Sequence, residues 1–526
     1  MLTIIRQAAR AYKILLILVI FLGLELLSQP QMAAARERPY IPEPTTVIEL
    51  RQGQQTGQPL KLQGARNEFL SWQFTIAGAD SASLRITTPG AKVAYRFYQV
   101  ISAPLSAPPG YPADALIPLE QGLRPGRALQ IWVTIKIPAG LAKGVYPQEL
   151  VFQDRNGGYR QPIDLKVWNF VLPEDLPITI MGNLWGDREL FARYGVKTEA
   201  QFDEVLKAYL RSMREYKFNA LGPKLYPLST NQLGAREVET VPGYNGILGH
   251  ALNTLNYRYF CLPMVKLNKD SLEAEKSRFL QETGSYYPAF LKYLRSRHWE
   301  NRAINKVMDE PRHPYYPAVY DVYAQSKKLA PGVKTFCTGQ GIDLRLAKAI
   351  NFWALTPKFF NPDQMAAAKA QGQEIWFYAN RFHSLKQPRA VPRLIGWILY
   401  RYNFSGYYFW GLNYWKQDPW TTESGKIDRW RRGMFYYPQP GTGAPVATTR
   451  LEALRRGFQD YQYLVLLKQA RARDKVPAGG YEEVQRRVAH LTRDFHPWMP
   501  EGFSRVSMTE LEELRSRIGE MLDKAF

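Results

Sequence analysis

The chain has 526 residues, and 45% of them are hydrophobic, which is enough to build large buried cores. Its two cysteines, Cys261 and Cys337, exclude a disulfide framework, and we expect both to be free thiols. The formal charge of +22 favours anionic surroundings, but the basic residues are scattered along the chain, which is typical of a solvated basic surface.

The first residues have the features of a secretory signal peptide. Three basic residues precede the apolar run Ile14–Leu24, and the alanines at 33–35 form a cleavage site. The run is shorter than the roughly 20 apolar residues that span a membrane. We therefore predict a cleaved signal over residues 1–35 and a secreted or cell-envelope-associated protein. It would have no membrane span after cleavage and no nucleic-acid partner.

Residues 36–175 are predicted to form a β-sandwich domain. Short runs of alternating apolar and polar residues are separated by Gly, Pro, Asn and Asp, and Asn156-Gly157-Gly158 is typical of a hairpin. The predicted strands are Thr46–Leu50, Phe69–Ile76, Ser83–Thr87, Val93–Val100, Leu129–Ile137, Gln148–Gln153 and Ile163–Val171. Residues 172–177 are predicted to be the linker that leaves this domain.

Residues 176–447 are predicted to form a catalytic (β/α)8 TIM-like barrel. Strands alternate with helical patterns, which fits an open doubly wound sheet or a closed barrel, and seven or eight strands over about 270 residues favour the barrel. The predicted strands are Ile178–Trp185, Phe218–Leu221, Ala303–Met308, Val333–Thr338, Ile350–Leu355, Ile375–Tyr378 and Tyr407–Trp410. Thr198 and Gln201 form a capping box, a helix is predicted to begin at Pro288, and residues 226–262 are interpreted as an elaborated loop.

Residues 448–526 are predicted to form a C-terminal helical region packed on the barrel. Thr449 with Glu452, and Ser507 with Glu510, form capping boxes before apolar residues at helical spacing. Each pattern predicts an amphipathic helix.

The strongest chemical signal is the pair Asp309-Glu310, which closes an apolar strand before Pro311. Common motifs for phosphate, zinc and serine-nucleophile sites are missing from the sequence. Active residues of barrels lie at the carboxyl ends of strands. The alternative reading is a pair of acids at the start of a helix.

Aromatic and amide side chains follow several other predicted strands. Such groups would line a pocket suited to a hydroxyl-rich ring. The candidates for substrate binding are Trp185, Trp353, Tyr378, Asn380, Trp410, Asn413 and Tyr414.

Several segments of the chain resemble known families. Residues 450–464 are similar to the signature of the domain of unknown function 4091. Asp309-Glu310-Pro311 and residues 406–415 resemble the catalytic region of glycoside hydrolase family 123, and residues 65–68 and 138–146 resemble its N-terminal domain. The resemblance covers nearly all of the mature chain.

The resemblance implies an enzyme that removes β-linked N-acetylgalactosamine from chain ends with net retention and without a cofactor or metal. The 2-acetamido oxygen of the substrate attacks the anomeric carbon, Asp309 orients and stabilises the acetamido group, and Glu310 acts as general acid and then base. A conventional retaining pair needs carboxyls about 5–5.5 Å apart on opposite sides of the sugar, normally from different strands. Two adjacent acids on one strand fit better with a nucleophile that the substrate supplies.

Two alternatives remain at this point. One is a non-catalytic glycan-binding or envelope protein on the same scaffold. The other is a hydrolase of another polysaccharide, such as an anionic one, with a protein nucleophile such as Asp187 or Asp343.

Overall fold

The computed structural model describes residues 46–526 except 104, 106–111, 127, 227–242, 266, 268–271, 312–314, 340, 379–380, 386, 423–433 and 494–505. The predicted signal peptide and Asn380 lie outside the described residues, as does part of the predicted loop 226–262. In the part of the chain that the structure describes, no helix is both long and apolar enough to cross a bilayer.

Residues 46–171 form two β-sheets that share a hydrophobic core. The strands are β1 Thr46–Glu49, β2 Gln54–Thr56, β3 Leu60–Arg66, β4 Phe69–Ala77, β5 Arg85–Thr87, β6 Tyr95–Ile101, β7 Ala115–Pro118, β8 Ala128–Lys136, β9 Gly144–Asp154 and β10 Gly157–Val171. One sheet has the order β1-β4-β8-β6-β7 and the other β3-β10-β9-β5. Alternate residues of both sheets, such as Ile131 and Leu150, are buried in one cluster, which confirms the predicted sandwich.

The predicted hairpin is confirmed. Strands β9 and β10 pair antiparallel across Arg155 and Asn156, with Gly157 opposite Asp154. The Asp154 carboxylate accepts the backbone N–H groups of Asn156 and Gly157 at 2.8 and 3.0 Å, so the side chain before the turn holds its backbone.

Eight parallel strands then close into a barrel, which confirms the predicted architecture. They are β11 Thr179–Gly182, β12 Ala220–Leu221, β13 Tyr259–Cys261, β14 Ala303–Asp309, β15 Lys334–Gly339, β16 Phe352–Leu355, β17 Glu374–Tyr378 and β18 Gly406–Phe409. The order follows the sequence, and pairing of β11 with β18 closes the ring. The short pair β19 Tyr437–Pro438 and β20 Pro445–Val446 follows.

Helices surround the barrel and continue beyond it. They are α1 Arg188–Ala192, α2 Glu199–Glu215, α3 Tyr244–Gly249, α4 Leu272–Ser296, α5 Tyr316–Leu329, α6 Pro362–Ala370, α7 Ala390–Arg401, α8 Thr449–Ala472, α9 Ala478–Leu491 and α10 Met508–Ala525. The capping boxes at Thr198 and Ser507 are both present, as predicted.

Three local predictions were wrong. Strand β13 lies inside the segment interpreted as a loop, because three residues are too short to show a period. Helix α4 runs through Pro288 instead of beginning there, although the ring removes one backbone hydrogen bond. The N-cap of α8 is Thr448, whose hydroxyl accepts the Leu451 N–H at 3.1 Å.

Helix α8 is also not amphipathic, since most of its residues are buried around the whole circumference. Its polar side chains reach the sandwich: Thr449 donates to Asp114 at 2.9 Å, and Gln459 donates to the Phe69 carbonyl at 2.8 Å. A polar residue on this helix is therefore no sign of exposure to solvent.

Candidate active site

A cavity of about 940 Å³ opens at the carboxyl ends of the barrel strands. Loops after β11, β12 and β13, the ends of β14, β17 and β18, and helix α4 build its wall. The lining residues are Asn183, Trp185, Pro223, Lys224, Met264, Val265, Leu267, Glu275, Arg278, Lys306, Val307, Met308, Asp309, Glu310, Tyr378, Tyr408 and Trp410. This is the end of a barrel where active sites are built.

The acidic pair reaches the cavity because strand β14 is irregular. Lys306 pairs with Phe336 of β15, but Asp309 pairs with Thr338, so three steps on β14 match two on its neighbour. In a regular strand, residues three apart point to opposite faces. The bulge instead brings both Lys306 and Asp309 to the cavity. Glu310 follows with φ 45°, a conformation that non-glycine residues rarely adopt.

Hydrogen bonds hold the pair in place. Oδ1 of Asp309 accepts the Lys306 ammonium at 2.6 Å and the Thr338 hydroxyl at 2.9 Å. Thr338 in turn accepts the backbone N–H of Glu310 at 3.1 Å. The Asp309 side chain remains 60% exposed, so the carboxylate is fixed from below and open to the cavity.

Three of the predicted aromatic residues line the same cavity. Trp185 and Trp410 meet edge to face at 6.4 Å, and the Trp185 indole N–H donates to the Trp410 carbonyl at 3.0 Å. Tyr378 packs against Tyr408 at a ring distance of 5.0 Å. Strand β11 ends at Gly182, so Trp185 lies on the following loop instead of ending the strand as predicted.

Other predicted substrate-binding residues lie elsewhere. Trp353 is fully buried between the barrel and its helices, because Phe352 and Ala354 are the residues of β16 that face the lumen. Asn413 is fully buried and makes two hydrogen bonds to the backbone of Trp185. Tyr414 packs behind Trp185 at 4.3 Å. Burial corrects two of these predictions, since Trp353 is a core residue and Asn413 supports the cavity wall. Tyr414 is half-buried and is not among the lining residues.

Several residues that line the cavity were not among the predicted site residues. Asn183 and Tyr408 are joined by a hydrogen bond of 2.9 Å beneath the acidic pair. Lys306 is buried below that pair, and the signal was in the sequence, since a charged residue stands inside a predicted barrel strand. Lys224 and Arg278 come from a loop and a helix that show no such signal. Within the described ranges, no group of three or more His, Cys, Asp or Glu side chains is arranged to hold a metal ion.

The two carboxylates considered as alternative nucleophiles have structural roles. Asp187 caps α1 by accepting the N–H groups of Glu189 and Leu190. Asp343 caps the short turn 344–346 and forms an ion pair with Arg345 at 2.5 Å. Neither is among the residues that line the cavity.

Comparison with known proteins agrees with this geometry. Residues 241–467 match the family model for glycoside hydrolase 123, catalytic domain, and the match includes Asp309 and Glu310. No curated protein sequence matches the chain.

Among solved structures, the fold is similar to that of a family 123 glycoside hydrolase from Clostridium perfringens. The TM-score is 0.68 at 12% identity, and the alignment covers 89% of this chain and 94% of that one. An endo-β-1,4-mannanase from Thermotoga petrophila aligns over 55% of this chain and 77% of its own, at 13% identity and a TM-score of 0.33. The family match, on a barrel whose strand ends carry the matched acidic pair, identifies the chain as a glycoside hydrolase with a family 123 catalytic domain.

Proposed function

We propose that the enzyme is a retaining exo-β-N-acetylhexosaminidase of the N-acetylgalactosaminidase type, in which the 2-acetamido group of the substrate is the nucleophile. The observation that carries the proposal is the position of Asp309 and Glu310, adjacent on one strand end and lining one cavity. A conventional retaining pair lies on opposite sides of the sugar, about 5–5.5 Å apart. The third carboxylate among the described lining residues, Glu275, is ion-paired with Arg278.

The contacts suit the two acids to different roles. Asp309 lies next to an ammonium, which favours its charged form, as needed to orient the acetamido N–H and stabilise the cyclic intermediate. Glu310 would protonate the leaving oxygen and then activate water. The aromatic wall of Trp185, Tyr378 and Trp410 would bind the apolar face of the sugar.

Matched substitutions test these roles. Glu310→Gln should slow hydrolysis of unactivated oligosaccharides by about 10²–10⁴-fold and spare 4-nitrophenyl N-acetyl-β-hexosaminides, whose leaving group needs no proton. Asp309→Asn should slow both. Glu374→Gln is the control, because Glu374 begins strand β17 at the opposite end of the barrel.

Two further measurements address the nucleophile. Proton NMR of the first product should show retained anomeric configuration, and a thiazoline analogue of the intermediate should inhibit. Full activity on a 4-nitrophenyl β-galactoside, which lacks the acetamido group, would refute substrate assistance. Glycan binding without turnover of any substrate would favour a non-catalytic protein.

One observation favours a second substrate class, an anionic polysaccharide. Lys224 and Arg278 both line the cavity, and the Lys224 ammonium lies 5.3 Å from the centre of the Trp185 ring. A cation beside an aromatic platform suits a sugar that carries a carboxylate or sulfate. Faster hydrolysis of acidic than of neutral oligosaccharides with the same linkage, lost in Lys224→Met, would support it.

We also propose that the protein is exported, on the basis of the apolar run 14–24 and the alanines at 33–35. In a secreting host the released protein should begin near Arg36. An intact, membrane-bound N terminus at Met1 would contradict this proposal.

A further inference from the structure

Lys306 is a buried cation in the middle of the barrel. It is 4% exposed, and its ammonium lies 2.6 Å from Oδ1 of Asp309 and 3.4 Å from the hydroxyl of Tyr408. Burying a charged side chain is unfavourable unless a partner compensates it. Here the compensating charge is one of the two proposed catalytic groups, so the position of this lysine bears on the reaction.

The position of Lys306 depends on the same irregularity that brings Asp309 to the cavity. Without the bulge between them, the two side chains would point to opposite faces of β14. Lys306 and Thr338 both donate to Oδ1, from neighbouring strands, so they restrict rotation of the carboxylate.

The titratable groups packed around this pair on β13, β15, β18 and α5 do not replace the ammonium, and the cations Lys224 and Arg278 line the same cavity from a loop and a helix. Burial raises the pKa of the Tyr408 and Tyr323 hydroxyls well above their ordinary value. Burial also raises the pKa of the Cys261 and Cys337 thiols to about 12, so all four groups are neutral at neutral pH. The charged group beside Asp309 on the same strand is Glu310, whose negative charge opposes ionisation of Asp309.

We propose that Lys306 is a positioning residue that keeps Asp309 ionised and correctly rotated for its contact with the substrate. The inference rests on the proposed role of Asp309. Lys306 would act through Asp309 and would not touch the sugar or take part in proton transfer. This role also explains why a lysine stands in a strand whose residues up to Met308 are all buried.

The test compares the pH dependence of kcat and KM on a 4-nitrophenyl N-acetyl-β-hexosaminide. Lys306→Met removes the charge at nearly the same length. It should move the acidic limb of the kcat/KM profile up by about 1–3 pH units, the usual effect of an opposite charge at this distance. Its kcat should therefore fall most at low pH and recover toward wild type at high pH, with a smaller change in KM. Lys306→Arg should restore part of the low-pH activity.

Two controls separate positioning from damage to the fold. Lys334→Met removes a lysine at the opposite end of the neighbouring strand β15 and should leave the profile unchanged. Thr338→Val removes the second donor to Oδ1, together with the acceptor of the Glu310 backbone N–H, without changing charge. It should lower kcat with no comparable shift of the acidic limb, and it keeps the orientation argument testable if Lys306→Met does not fold.

The outcomes distinguish this inference from the proposed function. If the wild type hydrolyses the substrate and Asp309→Asn abolishes this, an unchanged profile in Lys306→Met refutes the inference alone. A loss of kcat that is equal at every pH also refutes it, since that is the result of a structural role. If the wild type hydrolyses no 2-acetamido glycoside, the proposed function fails and this inference fails with it.

Discussion

A buried network of charges joins the sandwich to the C-terminal helices, and Glu68 is its member from the sandwich. The Glu68 side chain is fully buried and accepts hydrogen bonds from Arg456 at 2.8 Å, from Arg515, and from the Tyr463 hydroxyl at 2.7 Å. The network comprises three carboxylates and three guanidiniums, from Glu68, Asp460, Glu512, Arg393, Arg456 and Arg515. Its formal charges therefore cancel.

Glu68→Gln keeps the shape of the side chain and removes one charge, which leaves the network with an excess buried positive charge. Removing one partner of a buried ion pair costs about 3–5 kcal/mol. The chain from residue 46 to residue 526 has about 480 residues, and an unfolding entropy of about 2.1 cal/mol/K per residue gives about 1 kcal/mol/K in total. We therefore expect Tm to fall by about 3–5 °C.

Differential scanning calorimetry measures this shift. Glu174→Gln is the matched control, because its carboxylate is 62% exposed and lies 3.9 Å from Lys136, a kind of pair worth about 0–1 kcal/mol. The double variant Glu68→Gln/Arg515→Met restores charge balance and should be more stable than the sum of the single losses predicts. A Tm for Glu68→Gln equal to that of the control, or strictly additive losses, would refute the reasoning.

Two further predictions concern the barrel. Asn413→Leu removes both hydrogen bonds to the backbone of Trp185 and should raise KM. Asn219→Leu removes an equivalent pair at the start of the first barrel strand and should lower Tm without changing KM. Equal effects of the two variants on KM in initial-rate assays would contradict this prediction. Burial lowers the pKa of Lys217 from 10.5 to about 8. The unfolded chain then holds this proton more tightly than the folded chain does, so the contribution of Lys217 to stability rises between about pH 8 and 10.5. Over that pH range, Tm should rise less in Lys217→Met than in wild type. An equal change of Tm with pH in the two proteins would contradict this assignment.

Much of the fold could be predicted because it depends on periodic patterns. The alternating strands before residue 172 and the strand–helix repeat after residue 178 each extend over many elements, so one missed element does not change the architecture. Strand β13 was missed because its three residues show no period. The start of α4 was missed because proline is common in the first turn of helices, whereas Pro288 lies inside this helix.

The site could be predicted in part, since a barrel places strand ends together. The predicted residues that follow or end strands and that line the cavity are Asp309, Glu310, Tyr378 and Trp410. The prediction for Trp353 was wrong, because a two-residue period does not tell which face of a strand points inward when both faces are buried. The bulge in β14 could not be predicted either, because it depends on pairing with β15 and not on local sequence.

The segments that carry the family resemblance serve different purposes in the structure. Residues 65–68 and 450–464 contain Glu68 and Asp460, whose contacts belong to the buried charge network. Asp309-Glu310 lies in the cavity, and residues 406–415 contribute Tyr408 and Trp410 to its wall. In this structure the first two segments join the sandwich to the C-terminal helices, and the last two contribute to the cavity. Substitutions in the network should change stability at unchanged substrate preference. Substrate preference should instead respond to cavity residues outside those segments, such as Lys224 and Arg278, which reach the cavity from a loop and a helix.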